Sequence, residues 1–190
     1  MKYPNGIKQN KTNNNPIKYD NRGMNLEKDL NDSNNYYIDT KKAFIYKKPT
    51  PIQKTKVDYP SRSQAIIKEA FFKEPSTTDY NGIYKGKYID FEAKETNNNT
   101  SFPLNNINKH QIKHLENIYN CGGIAFIVVR FNRLNTTYIL MAKDFLSFIN
   151  NNERKSIPIK YFEEFGYVIE EKYIPRLDYL KIIDEVLGGI

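Results

Sequence analysis

Residues 124–129 form an apolar run, Ile-Ala-Phe-Ile-Val-Val, in the second half of the chain. A run of this kind is typical of a central strand that is covered on both faces. The chain has 190 residues, enough for one domain with a substantial core but too few for two comfortable ones. We therefore expect a single domain built around a sheet.

The surrounding segments predict helices and further strands. Leu26, Leu30 and Tyr37 share one stripe of a helix that starts near Asn21. A second helix is expected over 108–119, with Gly122-Gly123 as its stop. Short strands are expected at 43–46 and 138–141, and helical segments, including 177–187, close the chain. Together these elements predict an α/β fold, a mixed sheet with helices on its faces.

Residues 88–94 alternate between apolar and polar side chains, which predicts a strand with one buried face. Asn81-Gly82 and Lys85-Gly86 look like turns before it. The resulting hairpin carries Asp79 on its first arm and both Glu92 and Lys94 on one face of its second.

Asp79 and Glu92 could meet in such a hairpin. Two neighbouring carboxylates repel each other, and a divalent cation with a preference for oxygen ligands, Mg²⁺ or Mn²⁺, offsets that repulsion. Lys94 beside the cation could stabilise charge on a phosphate or orient the attacking water. The alternative is a solvent-exposed cross-strand ion pair, the usual role of Glu-x-Lys on a strand face.

The formal net charge is +7, and the bases are concentrated in residues 41–68, which hold eight bases and one acid. Such a block attracts polyanions or is simply a solvated face. Residues 1–20 lack hydrophobic periodicity and are expected to be a disordered basic arm. Residues 65–72 fit either a short helix or strand faces, because their periodicity does not decide.

Other features narrow the class of protein. No apolar stretch approaches a membrane span, and the Asn- and Lys-rich N-terminus is unlike a signal peptide, so we expect a cytoplasmic protein. The lone Cys121 fits a reducing compartment and is interpreted as a packing residue. His110 and His114 have zinc-ligand spacing, but no third ligand pattern supports a zinc site.

Several longer stretches resemble the RecU family of bacterial Holliday junction resolvases, and the resemblance runs from about residue 21 to the C-terminus. These stretches are NRGMNLEKDLN (21–31), KKPTPIQ (47–53), YPSRSQAIIKEAFFKEPSTTDYNGIYKGKYIDFEAKET (59–96), TSFPLNNINKHQIKHL (100–115) and YIPRLDYL (173–180). The resemblance implies a restriction-endonuclease-like PD-(D/E)xK fold. It also implies a homodimer that nicks opposed strands of a four-way junction symmetrically, using Mg²⁺ or Mn²⁺.

The resemblance also implies roles for individual residues. Thr77, Asp79, Glu92 and Gln111 match metal-site positions, Lys94 matches the position that stabilises the transition state, and Glu27 looks like the helix carboxylate that often joins the site. Thr78 stands where the superfamily motif has Pro, as it does in RecU proteins.

Residues 62–74 coincide with the family's stalk, a projection that enters the centre of the junction. The resemblance therefore favours strands for 65–72. It places Arg62 and Lys68 against phosphates, and Phe71 or Phe72 against unpaired bases; the alternative for these Phe residues is core packing.

The family resemblance also suggests the recombinase RecA and the branch-migration machinery as partners, and a nucleoid-associated location. Two other functions stay open. One is a non-catalytic DNA-binding or strand-annealing protein that modulates the recombinase; the other is a restriction enzyme that cuts linear duplex.

Overall fold

The computed structural model describes the backbone of residues 24–50, 52–58, 66–72 and 77–188, and the side chains of residues 26–50 and 77–188. The basic arm predicted for residues 1–20 lies outside the described residues. Within the described ranges, none of the helices is both long and apolar enough to cross a membrane.

In the described part of the chain, six strands follow the first helix, and a short 3₁₀ helix, Leu104–Asn106, precedes the second α-helix. The elements are α1 (Met24–Asp39), β1 (Phe44–Lys47), β2 (Ile52–Asp58), β3 (Ile66–Phe72), β4 (Tyr80–Tyr84), β5 (Lys87–Thr96), β6 (Ser101–Pro103), α2 (Lys109–Asn120), β7 (Ile124–Phe131), β8 (Thr136–Met141), α3 (Ala142–Asn151), β9 (Ser156–Pro158), α4 (Ile159–Phe165), β10 (Tyr167–Ile169) and α5 (Tyr179–Val186).

The main sheet has six strands in the order β1-β4-β5-β7-β8-β10. Only β5 and β7 run parallel; the other neighbours are antiparallel. Parallel neighbours need a crossover connection, and here α2 supplies it. The crossover lays α2 across the face of β5 and β7, so its side chains reach those of β5.

The predicted central strand is confirmed, because every residue of β7 is buried. Ile124, Phe126 and Val128 pack with residues of α1 and α5 on one face. Ala125, Ile127 and Val129 pack on the other face, in a cluster that includes residues of α2, α3 and α4. The α/β fold predicted from the sequence, a mixed sheet flanked by helices, is therefore confirmed.

The predicted hairpin is present, but one of the two turns predicted for it was wrong. Lys85 and Gly86 form the two-residue connection between β4 and β5, both with positive φ (46° and 75°), as a type I′ turn requires. Asn81-Gly82 instead lies inside β4. The absence of a side chain at Gly82 serves close strand packing, because a Cβ there would clash with the carbonyl oxygen of Phe44.

The prediction of one buried face for β5 was also wrong. Ile89 and Phe91 are buried on the side of α1 and α5, and Asp90 and Glu92 are equally buried on the side of α2. The reason is the crossover, which covers the polar face of β5 with α2. The polar row on this strand is therefore held inside the protein.

The remaining differences lie mostly at element ends. The first helix begins at Met24, and Leu26, Leu30 and Tyr37 are buried as predicted. The second begins after its N-cap, Asn108. Cys121 is exposed, so its interpretation as a packing residue was wrong: it is the C-cap of α2 and lies just before the buried strand begins.

Strands β2 and β3 pair with each other in a separate two-stranded sheet. Residues 66–72 are therefore a strand, which settles the ambiguity between helix and strand in that segment. Residues 59–65 and 73–76 lie outside the described residues. The projection of this ribbon as a stalk stays a prediction.

Candidate active site

Glu92 and Lys94 leave the same face of β5, two residues apart. Glu92 is completely buried, and the Lys94 Nζ lies 2.5 Å from its Oε1. The side chain of Lys94 is 26% exposed, so the lysine links the buried carboxylate to solvent. The predicted pair therefore exists, but with its carboxylate inside the protein and not on a solvated strand face.

Asp79 immediately precedes β4, one position beyond the pairing of Tyr80 with Phe91. The Ala93 N–H of β5 donates a hydrogen bond of 3.1 Å to the Asp79 Oδ2. This contact holds the aspartate against the strand that carries Glu92. Burial raises the pKa of Glu92, and the charge of Asp79 raises it further. The two carboxylates are brought together as the sequence predicts.

Gln111 is the third residue of α2 and completes the capping box of this helix. Its Oε1 accepts a hydrogen bond from the Asn108 N–H at 2.9 Å, and its Nε2 donates to the Glu92 Oε1 at 2.8 Å. In this arrangement Gln111 meets Glu92 through a donor, so it orients the carboxylate.

One oxygen of Glu92 has no partner. Lys94 and Gln111 both contact Oε1, and the buried Oε2 forms no hydrogen bond. A buried carboxylate oxygen without a partner is costly. Burial, and secondarily the charge of Asp79, raise the pKa of Glu92 to about 7, although Lys94 opposes the shift.

This pKa leads to a prediction about the metal-free protein. The pKa of Glu92 in the folded state lies above the ordinary value of 4.5, so the ionised carboxylate destabilises the fold. This destabilisation is absent below pH 4.5, grows as the pH rises to 7, and is complete above pH 7. Glu92→Gln removes the charge. In EDTA we expect it to stabilise the protein by roughly 2–3 kcal/mol at pH 8, and hardly at all at pH 4.5.

Thermal melts at the two pH values measure this difference. Glu185→Gln is the matched control, since the side chain of Glu185 is 61% exposed and its replacement should leave both melting temperatures unchanged. A lower melting temperature for Glu92→Gln at pH 8 would contradict the assigned cost of the buried charge.

Glu27, in the first turn of α1, lies at the rim of the site. Its Oε1 is 2.6 Å from the Lys47 Nζ, and both side chains are more than 40% exposed. Glu27 and Lys47 line a cavity of about 260 Å³ together with Asp79 and Lys94. The helix carboxylate therefore reaches the same cavity, where it is paired with a lysine.

Thr77 is exposed, and its hydroxyl accepts a hydrogen bond of 3.1 Å from the Lys48 Nζ. Within the described part of the chain, this hydrogen bond links Thr77 to Lys48 and not to Glu92 or Gln111.

Sequence reasoning missed a second polar cluster on the same face of β5. Asp90 is completely buried, and its carboxylate contacts the side chains of Lys48, Thr78, Tyr88 and His114. Its position two residues before Glu92 was the available signal, because a strand places both side chains on one face. Because the polar face of β5 was predicted to be solvated, Asp90 was not interpreted as a buried partner of the site.

Two of the three proposed DNA-binding residues lie on the β2–β3 ribbon. Lys68 and Phe72 belong to β3, and Arg62 lies outside the described residues, so no contact of these side chains is described. The basic block is not a uniform charged face, since Lys42, Lys47 and Lys48 form ion pairs with Asp178, Glu27 and Asp90 respectively.

The side chains around Glu92 can be compared with the ligands that a divalent metal ion requires. Over the described ranges, no three His, Cys, Asp or Glu side chains form a group that could hold a metal. Mg²⁺ needs fewer protein ligands, because it usually retains several waters and binds through one or two carboxylates plus substrate phosphates. Asp79 and the unpartnered Glu92 oxygen fit that requirement.

Comparison with known proteins identifies one family. The family model described as recombination protein U (RecU) matches residues 21–185. The Holliday junction resolvases RecU of Bacillus cereus strain G9842 and of Bacillus mycoides strain KBAB4 are each 50% identical to this chain over 195 residues. In both cases the match covers 98% of this chain and 98% of the relative.

Among solved structures, the Holliday junction resolvase Hjc of Archaeoglobus fulgidus is similar over 77% of this chain and 95% of its own. The sequence identity is 12% and the TM-score is 0.42, a similarity too low to add to the assignment.

Proposed function

Because the chain belongs to the RecU family, we propose that it is a metal-dependent endonuclease that resolves Holliday junctions, with Asp79, Glu92 and Lys94 at its active site. Its relatives of 50% identity are named Holliday junction resolvases. The single observation that carries the site assignment is the buried Glu92, with one oxygen unpartnered and with both Lys94 and Asp79 beside it.

The proposed chemistry follows from these neighbours. Asp79 and the free oxygen of Glu92 would hold Mg²⁺ or Mn²⁺, and the cation would supply Lewis-acid catalysis and activation of water for phosphodiester hydrolysis. Gln111 fixes the orientation of Glu92. Lys94 presents its ammonium at the cavity, where it stabilises the negative charge that develops on the phosphate.

Thr77 and Glu27 belong to the proposal in secondary roles. The Thr77 hydroxyl adds an oxygen on the Asp79 side of the site, as the family resemblance implies. Glu27 lies in the same cavity with Lys47 as its partner. DNA that displaces Lys47 towards a phosphate leaves Glu27 available to the site.

The family resemblance supports the remaining parts of the proposal. A homodimer presents two active sites to opposed strands of one junction, which accounts for symmetric nicking. We also propose RecA and the branch-migration machinery as partners at the nucleoid.

One gel tests the function. Protein is given Mg²⁺ with a four-way junction or with a linear duplex of the same sequence. Nicking of the junction alone supports the proposal. Cleavage of the duplex indicates a restriction enzyme, and binding without nicking indicates a non-catalytic or strand-annealing protein; either result contradicts the proposal.

Junction binding is expected to weaken steeply with salt. Each phosphate contact by Lys or Arg releases counterions, so the logarithm of the binding constant falls by about 0.9 per contact for each logarithmic unit of salt. Binding isotherms in Ca²⁺ at several salt concentrations measure the slope. A binding constant that stays flat would remove the basic residues from DNA recognition.

The β2–β3 ribbon supplies a prediction about Phe72. If the ribbon is a stalk, Phe72→Ala should hardly change the melting temperature and should weaken junction binding by about 1–3 kcal/mol through lost base stacking. Arg62→Ala should also weaken binding, through a lost phosphate contact. Burial of Phe72 in a core would instead cost roughly 3–5 kcal/mol of stability, and a large drop in melting temperature would contradict the stalk.

A further inference from the structure

Lys48, immediately after β1, is attached to the segment that carries Asp79. Its backbone N–H donates to the Asp79 carbonyl oxygen at 2.8 Å. Its ammonium lies 3.1 Å from the Thr77 hydroxyl and 2.6 Å from the Thr78 hydroxyl. One lysine therefore holds residues 77–79 through both its main chain and its side chain.

Asp90 fixes the position of this lysine. The Lys48 Nζ lies 2.6 Å from the Asp90 Oδ2, and the Asp90 side chain is completely buried. The hydroxyls of Tyr88 and Thr78 also donate to this carboxylate. A carboxylate buried this deeply is stable only with an oppositely charged partner and hydrogen-bond donors beside it. The Lys48–Asp90 pair therefore has little freedom to move.

The pair joins the same three parts of the chain that supply the proposed active site. Thr78 precedes Asp79 along the chain. Asp90 precedes Glu92 by two residues on the same face of β5. The third contact comes from α2, where His114 follows Gln111 by three residues. The His114 Nε2 lies 3.2 Å from the Asp90 Oδ2 and 3.4 Å from the Lys48 Nζ.

We propose that Lys48, anchored by Asp90, is a positioning residue that sets the placement of Asp79 relative to Glu92 for the divalent cation. Lys48 acts through residues 77–79, with 14% of its side chain exposed. The outer partners of metal ligands tune affinity in this way, and their loss typically weakens metal binding or activity. The inference rests on the proposed function, since it takes Asp79 and Glu92 as the metal-binding carboxylates.

The variant must avoid leaving a buried charge alone. Lys48→Met by itself leaves the buried Asp90 carboxylate without its cationic partner, which is strongly destabilising. Lys48→Met combined with Asp90→Asn removes both charges and keeps an amide at position 90 for the Thr78 and Tyr88 hydroxyls. The matched control removes the exposed pair on α2, Lys113→Met with Glu116→Gln, whose charged groups lie 2.8 Å apart.

Mn²⁺ binding to the DNA-free protein is measured by electron paramagnetic resonance, together with thermal melts in EDTA. The Lys48/Asp90 double variant is expected to melt close to the parent and to bind Mn²⁺ about 10- to 100-fold more weakly. The Lys113/Glu116 control should match the parent in both measurements. Lys48→Arg, which keeps a cation beside Asp90, should recover part of the Mn²⁺ affinity.

Unchanged Mn²⁺ affinity in a folded Lys48/Asp90 variant would overturn the inference and leave the pair with a structural role only. If that variant does not fold, His114→Gln decides: weaker Mn²⁺ binding supports the inference, and parent-like binding overturns it. The parent and Asp79→Asn separate this result from a failure of the proposed function. Mn²⁺ binding by the parent that survives Asp79→Asn contradicts the metal site itself.

Discussion

Asp79→Asn is expected to abolish nicking of a four-way junction while leaving junction binding in Ca²⁺ close to that of the parent. The substitution keeps the side-chain shape, and its oxygen can still accept the Ala93 N–H, but one of the two carboxylates for the cation is lost. A catalytic metal supplies several kcal/mol of transition-state stabilisation, so we expect the rate to fall by at least about 10³-fold.

Single-turnover nicking assays with saturating protein measure this rate apart from binding. Asp32→Asn is the matched control, because Asp32 is exposed on α1 and its charge lies outside the proposed site. The control should nick at the parent rate. Nicking by Asp79→Asn within a few-fold of the parent would remove Asp79 from the active site.

Phe91→Ala is expected to cost roughly 3–5 kcal/mol of unfolding free energy, as large truncations in a core do. The Phe91 ring is completely buried and is stacked between Tyr80 and Phe126, with centroids 4.8 and 4.7 Å away. A cavity at this position also removes the packing behind β5, one residue before Glu92.

Urea unfolding in EDTA measures the cost. Phe44→Ala is the control, because Phe44 is 59% exposed on β1 and its loss should change stability by only about 0.5 kcal/mol. If Phe91→Ala lost no more stability than Phe44→Ala, the packing of Phe91 could not be what supports the strand that carries Glu92.

Much of the fold could be predicted because its signals are local. The apolar run of β7 identifies a central strand by itself, and the spacing of Leu26, Leu30 and Tyr37 identifies α1. The Lys85-Gly86 turn follows from the need for positive φ in a two-residue hairpin. Asn81-Gly82 carries the same turn signal but lies in a strand, since the reason for this glycine is the close approach of β1.

The site could be predicted only in part. Glu92 and Lys94 share a face because strand geometry requires it, and the hairpin brings Asp79 near. The burial of Glu92 could not be derived from the alternation, because it depends on α2 crossing over β5. For the same reason sequence analysis did not connect Lys48, Asp90 and His114, which lie far apart along the chain and meet only in the folded protein.

Strand mapping tests the central claim most directly. A four-way junction is assembled four times, each time with a different strand labelled, and is incubated with Mg²⁺ and either the parent protein or Glu92→Gln. The parent should nick two opposed strands at symmetric positions, and Glu92→Gln should bind the junction without nicking it. Nicks by Glu92→Gln at the parent's rate, or no nicks by the parent, would contradict the account.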